Sequence, residues 1–196
     1  IAKLRAKLLG LEDIMEFRVT DAEKLDYPHS SFNAVLSRWG LMFLPNLPAA
    51  LTTMRQLLVQ GGRFAAAVWS IPAKVPMLDL AFSTVRKEIN APAPQAGAPG
   101  PFALADSETL KRSFNQAGFK DVRVESIYIT IAFDSAESYT RFQQEITAPI
   151  QAMLSGQTDE KKKQVWDAVT DAAGQYADSH GRVNLDNEAL CVVGKS

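Results

Sequence analysis

The sequence predicts an α/β fold built on a mostly parallel sheet with an antiparallel pair at one edge, and three observations carry that prediction. The short apolar runs Phe32 to Ser37 and Arg63 to Trp69 have the composition of strands buried on both faces. Between them lies a helical pattern, with Leu51, Met54, Leu57 and Leu58 on one face, which serves as the crossover that parallel strands require. Val122 to Phe133 alternates along its whole length and would pair antiparallel with the terminal apolar run Leu190 to Val193.

Residues 1–10 read as the end of an amphipathic helix stopped by Gly10. The pattern Leu4, Leu8, Leu9 begins without a capping residue, which predicts further sequence upstream and hence an N-terminally truncated domain. Ile14 to Val19 alternates and reads as a short strand. Pro48 suits the first turn of the crossover helix, and Gly61-Gly62 is expected to end it. Residues 75–90 read as a helix and 91–100 as a proline-, alanine- and glycine-rich mobile loop. Asp106 is an expected N-cap of a helix running to Ala117, with Gly118 as its stop. Periodicity predicts two more helices, over 135–153 and 159–177. The whole chain reads as one domain, residues 1–196, with helices on both faces of the sheet. Residues 70–105 and 134–186 are lid-like insertions that leave the carboxyl ends of strands, where ligands bind in open α/β sheets.

Composition narrows the function. The chain has 196 residues, 46% hydrophobic and 22% charged, with formal net charge -1. Such a balance gives no electrostatic footprint for nucleic acid. No stretch reaches the ~20 apolar residues of a membrane span. Lys161-Lys162-Lys163 follows Asp159-Glu160 and reads as a solvated helix face. Cys191 stands alone, so there is neither a disulfide framework nor a zinc-site spacing. A lone thiol in an apolar run reads as a core residue in a reducing, cytoplasmic compartment. Of the two histidines, His29 is expected near the opposite edge of the sheet and His180 in an exposed loop, so the sequence names no catalytic residue.

Three segments in series then carry a resemblance. They are Phe17-Arg18-Val19-Thr20-Asp21-Ala22-Glu23, Ala34-Val35-Leu36-Ser37-Arg38-Trp39-Gly40-Leu41-Met42-Phe43, and Leu57-Leu58-Val59-Gln60-Gly61-Gly62-Arg63-Phe64. In order and spacing they resemble the small-molecule, quinone-biosynthesis-like branch of the class I S-adenosylmethionine-dependent methyltransferases. The resemblance implies a Rossmann-like sheet of strand order 3-2-1-4-5-7-6, S-adenosylmethionine as cofactor, and a small apolar or ring-bearing acceptor. It implies cofactor contacts from Asp21, Ala22 and Glu23 at the adenine and from Arg38, Trp39 and Gly40 at the methionyl end. Asp21 would accept from the exocyclic amine, and the Ala22 N–H would reach a ring nitrogen. Asp21 capping a turn is the competing account.

The family's glycine-rich turn and the acidic residue that holds the ribose have no counterpart here. Gly61-Gly62 follows a helix instead of opening one, and Gln60, His29 and Asn33 also depart from the family's usual residues. The chain by itself is therefore expected to hold the cofactor weakly and to be inactive alone. The edge of Phe32 to Ser37 would be left open, so either residues 14–19 move onto it or two chains pair there as a homodimer. Two rival readings are a nicotinamide-dependent Rossmann oxidoreductase and a non-catalytic binding or dimerisation module.

Overall fold

Residues 1–93, 95 and 97–196 are described in a computed structural model; positions 94 and 96, within the predicted loop at 91–100, lie outside them. The predicted crossover forms as expected. Phe32–Arg38 is β1, Leu47–Leu57 is α2 and Leu58–Trp69 is β2, preceded by a short helix α1 over Ala2–Leu8. Asn46 caps α2 by accepting from the Ala49 N–H, and proline occupies its first turn. The chain continues through α3 (Pro76–Glu88), α4 (Ser107–Gln116) and β3 (Lys120–Phe133). It then forms α5 (Ala136–Ile146), α6 (Ala148–Leu154), α7 (Asp159–Gly174) and β4 (Val183–Lys195).

The strands assemble in the order β1-β2-β4-β3. β1 and β2 are parallel, whereas β4 runs antiparallel to both β2 and β3. The expected antiparallel edge pair is therefore present, and the order is that of strands 4-5-7-6 in the family's sheet. Its long register, from Arg123 opposite Val193 to Phe133 opposite Val183, extends β4 well beyond the apolar run 190–193.

Several sequence expectations need correction. Residues 14–19 form no strand, because a strand exists only where a neighbouring backbone meets its N–H and C=O groups, and no described segment lies alongside. Ile14 and Val19 are exposed, and Arg18 stacks on Tyr27 at 4.3 Å. β1 is not buried on both faces: Leu36 is 82% exposed. Gly61-Gly62 does not stop the helix but lies inside β2, where the register slips between Phe32 and Ala34. A Cβ on Gly62 would come within 2.9 Å of the Val59 carbonyl, so only glycine permits this bulge. The single helix expected over 135–153 is broken at Thr147, where Pro149 supplies no N–H and starts α6 instead.

Helices α2 and α4 cover one face of the sheet. Phe64, Ala66 and Val68 of β2 point into that layer, and the rings of Phe64, Phe114 and Phe119 lie 5.2–5.8 Å apart. On the other face Leu36, Ala65, Ala67 and Cys191 line a shallow concavity, so among the described residues the helices expected on both faces are found over only one face of these strands. Cys191 is accordingly half-buried rather than core. A second helical layer, α3 against α7 and α7 against α5, stands over the start of β4 and the end of β3. Buried polar groups lock it to the sheet. The Met77 carbonyl accepts from Tyr139 Oη at 3.1 Å and Gln143 Nε2 at 2.6 Å, and the Met77 N–H donates to Asn187 Oδ1 at 2.9 Å.

Candidate functional site

The carboxyl ends of β1 and β2 lie side by side, and the residues that follow β1 leave the regular ladder abruptly. Trp39 adopts φ 53°, a left-handed conformation that costs a bulky residue about 1–3 kcal/mol. Its N–H still bonds the Ala67 carbonyl at 2.9 Å, so the turn is anchored to β2. The indole stacks on Trp69 with centroids 4.7 Å apart and planes at 19°, and the Arg38 guanidinium lies 5.3 Å from the Trp39 ring. The Trp39 Nε1–H is buried and has no acceptor among the described residues. Such an orphan donor carries a desolvation cost of about 1–3 kcal/mol until something accepts from it. At Gly40 a Cβ would sit 3.3 Å from Ser37 Oγ, so a small residue suits this close turn. Leu41 and Met42 are buried in the following 3₁₀ turn, while Phe43 is 47% exposed.

Asp21, Ala22 and Glu23 reach the same end of the sheet by another route. Ala22–Lys24 is a 3₁₀ turn, and Asp21 caps it, with Oδ1 accepting the Glu23 N–H at 3.0 Å. Glu23 Oε1 in turn accepts the Asn46 N–H at 2.6 Å, at the start of α2. The negative charge of Glu23 thus supports the N-terminus of α2, where the helix dipole favours it. Because α2 begins where β1 ends, the two triplets flank the connection Leu41 to Asn46. Asp21 is exposed and its second oxygen lies 3.9 Å from Lys24 Nζ. His29 and His180 are both exposed; His29 lies beside Gly118 and Ser196 at the other end of the sheet.

Glu188 carries no local signal in the sequence. Its side chain is 4% exposed and accepts from Ser70 Oγ at 2.9 Å, Lys74 Nζ at 2.9 Å and Ser126 Oγ at 3.2 Å. These partners lie up to 118 positions away in the chain and meet only through the register of three strands. Burial alone would push this carboxyl up, yet the donors Lys74, Ser70, Tyr128 and Ser126 outweigh it and hold the group below the usual carboxylate range. It is thus an ionised anchor beneath the carboxyl edge, its lone pairs committed to neighbours. A carboxyl whose folded pKa is depressed stabilises the fold above its unfolded value, near 4.5, and loses that contribution as pH falls through the folded value. Glu188→Gln is expected to lower stability at pH 7 by about 1–3 kcal/mol. The gap from the parent protein should narrow below pH 4.5, as urea titrations across pH would reveal.

Among the described residues no cluster of three or more His, Cys, Asp or Glu could hold a metal ion. Nor, among those residues, is any helix long and apolar enough to cross a membrane.

Residues 1–66 match the family model described as a methyltransferase domain. The ubiquinone/menaquinone biosynthesis C-methyltransferase UbiE of Bartonella bacilliformis is 32% identical over 79 residues, covering 40% of this chain and 30% of that protein. UbiE of Bradyrhizobium sp. strain BTAi1 is 35% identical over 79 residues, covering 40% of this chain and 31% of that enzyme. The chain thus spans under a third of the length of these curated relatives. Among solved structures, the YcgJ protein of Bacillus subtilis superposes with a TM-score of 0.56 at 16% identity, covering 100% of this chain and 76% of that one. The [4+2]-cyclase SpnF superposes with a TM-score of 0.50 at 16% identity, over 100% of this chain and 61% of that one. The first 66 residues are thus similar to a methyltransferase domain, and the chain shares the fold of these solved structures.

Proposed function

We propose that the carboxyl edge of β1 and β2 is the cofactor and acceptor side of a methyl-transfer site acting on a small molecule. The observation that carries this reading is Trp39: a strained, left-handed residue whose buried indole N–H lacks an acceptor, placed where ligands bind in open α/β sheets. A fold shared with a cyclase does not by itself name the reaction, so the reading rests on the site. The residues present fit S-adenosylmethionine on this side. Asp21 offers a carboxylate oxygen to an exocyclic amine, the Ala22 N–H can meet a ring nitrogen, and the Trp39 indole can donate to a polar group of the cofactor. Glu23 acts by fixing this turn to α2 rather than by direct contact.

When bound, S-adenosylmethionine supplies an electrophilic methyl group for in-line displacement. The protein then has chiefly to align the acceptor and exclude water. Residues 70–105 and 134–186 would do so as lids over the edge, with the α3, α5 and α7 layer as their support. The half-exposed thiol of Cys191 fits a reducing, cytoplasmic compartment. One edge of β1 has no partner strand among the described residues, which supports pairing with a second copy; light scattering should then report a dimer.

No described glycine-rich turn opens a helix after a strand, so this chain is expected to bind S-adenosylhomocysteine more weakly than micromolar by calorimetry. Asp21→Ala should weaken binding by a further ~1–3 kcal/mol. An affinity unaffected by Asp21→Ala would remove the adenine contact from the account.

A further inference from the structure

Between α3, the segment 97–103 and the start of α6 lies a cavity of about 530 Å³. That is the size of pocket a small organic ligand occupies, toward the lower half of the usual ~300–1,000 Å³ range. Phe43, Phe82, Phe102, Pro149 and Met153 give it flat aromatic and apolar walls. The Gly100 N–H bonds the Met42 carbonyl at 3.1 Å, so the segment that roofs the cavity is tied directly to the turn following Trp39. The cavity therefore opens beside the proposed transfer site and not at some remote surface.

Two lining residues, Gln95 and Arg86, break the apolar pattern. Arg86, on α3, carries the only charge among the described lining residues. It is half-buried, and it takes part in none of the ion pairs or side-chain hydrogen bonds of the described residues. Its neighbour on the same helix, Glu88, is engaged by Lys161 at 3.4 Å instead. A guanidinium cannot shed its charge, and its planar fork matches a carboxylate in two parallel hydrogen bonds. In a pocket otherwise suited to a ring, a single uncommitted fork is a specificity element.

We propose that this cavity takes a flat, ring-bearing organic anion, its ring among Phe43, Phe82 and Phe102 and its acid group on Arg86. The proposal rests on the methyl-transfer reading for its role as the acceptor pocket, but the binding itself does not. The test uses the 196-residue chain, with 1-naphthoate and its neutral isostere 1-naphthamide as probes, followed by ligand-observed NMR. Naphthoate should bind roughly tenfold or more tightly than naphthamide, the usual effect of a charge-assisted pair. Arg86→Gln should abolish that preference while leaving naphthamide binding and the melting temperature unchanged, and Phe102→Ala should weaken both probes. Equal binding of the two probes, or an unchanged preference in Arg86→Gln, would overturn the proposal. Naphthoate selectivity in a chain whose Trp39 indole ignores S-adenosylhomocysteine would uphold the anion pocket and sink the methyl-transfer role.

Discussion

Phe64→Ala is expected to cost about 3–5 kcal/mol, the largest single loss in the sheet, because it removes a fully buried ring from a three-ring cluster. Phe64 stacks on Phe114 at 5.3 Å and lies 5.8 Å from Phe119, so both helix α4 and the turn after it lose their main contact with β2. Relief by collapse is blocked nearby. Gly194 already brings β4 so close that a Cβ there would sit 2.9 Å from the Phe119 Cβ, and the backbone cannot close further without strain. Native domains hold only about 5–15 kcal/mol in total, so this variant should be close to unfolded at 37 °C. Phe64→Leu, which keeps most of the volume, should lose less than half as much. Equilibrium urea unfolding of the two variants measures the difference directly.

Tyr139→Ala is expected to lose a comparable ~3–5 kcal/mol, but in a different part of the molecule. Its ring meets Phe133 edge-on at 5.3 Å and its hydroxyl donates to the Met77 carbonyl, so one side chain ties α5 to both β3 and α3. Burial also pushes the phenol pKa well above its ordinary value, which keeps the hydroxyl protonated and donating at any ordinary pH. Tyr139→Phe should cost no more than about 1.5 kcal/mol, because the Met77 carbonyl retains Gln143 as a donor. In amide exchange, Tyr139→Ala should expose α5 to α7 first and leave α2 and α4 protected, since few contacts join the two helical layers. Uniform loss of protection in all helices would show that the layers unfold as one unit.

What the sequence disclosed and what it concealed follow one physical division. Features set by neighbouring residues were legible. Asp106 accepts the Thr109 N–H at 2.8 Å and starts α4 as its residue type demands, and Gly118 ends the helix region with φ 88°. Lys162 and Lys163 pair with Asp159 and Asp167 on the outer side of α7 as that pattern implies, whereas Lys161 departs from it and reaches Glu88 of α3 in a partly buried pair. Features that depend on distant partners were not. Residues 14–19 have strand-like alternation yet remain outside the sheet, because pairing and not pattern makes a strand. Gly61-Gly62 has the same spelling in a helix stop and in a bulge; only the close approach of the Asn33 and Val59 carbonyls to Gly62 tells them apart. At the site, the sequence resemblance pointed to Arg38, Trp39 and Gly40, and the structure shows a left-handed turn there and a buried indole donor with no acceptor among the described residues. Glu188 and Arg86 carried no local signal, since one is defined by cross-strand register and the other by the walls around it.

The Trp39 indole reports most directly on where the cofactor binds. The chain has three tryptophans, so its nitrogen-proton spectrum shows three indole resonances, which Trp39→Phe, Trp69→Phe and Trp166→Phe assign by deletion. Roughly millimolar affinity is enough for this readout. On titration with S-adenosylhomocysteine the Trp39 resonance should move downfield as its N–H gains an acceptor, Trp69 should follow slightly through the stacked ring, and Trp166 on α7 should stay in place. A Trp39 resonance that remains still, or that moves no more than Trp166, would contradict the placement of the cofactor at the carboxyl edge of β1.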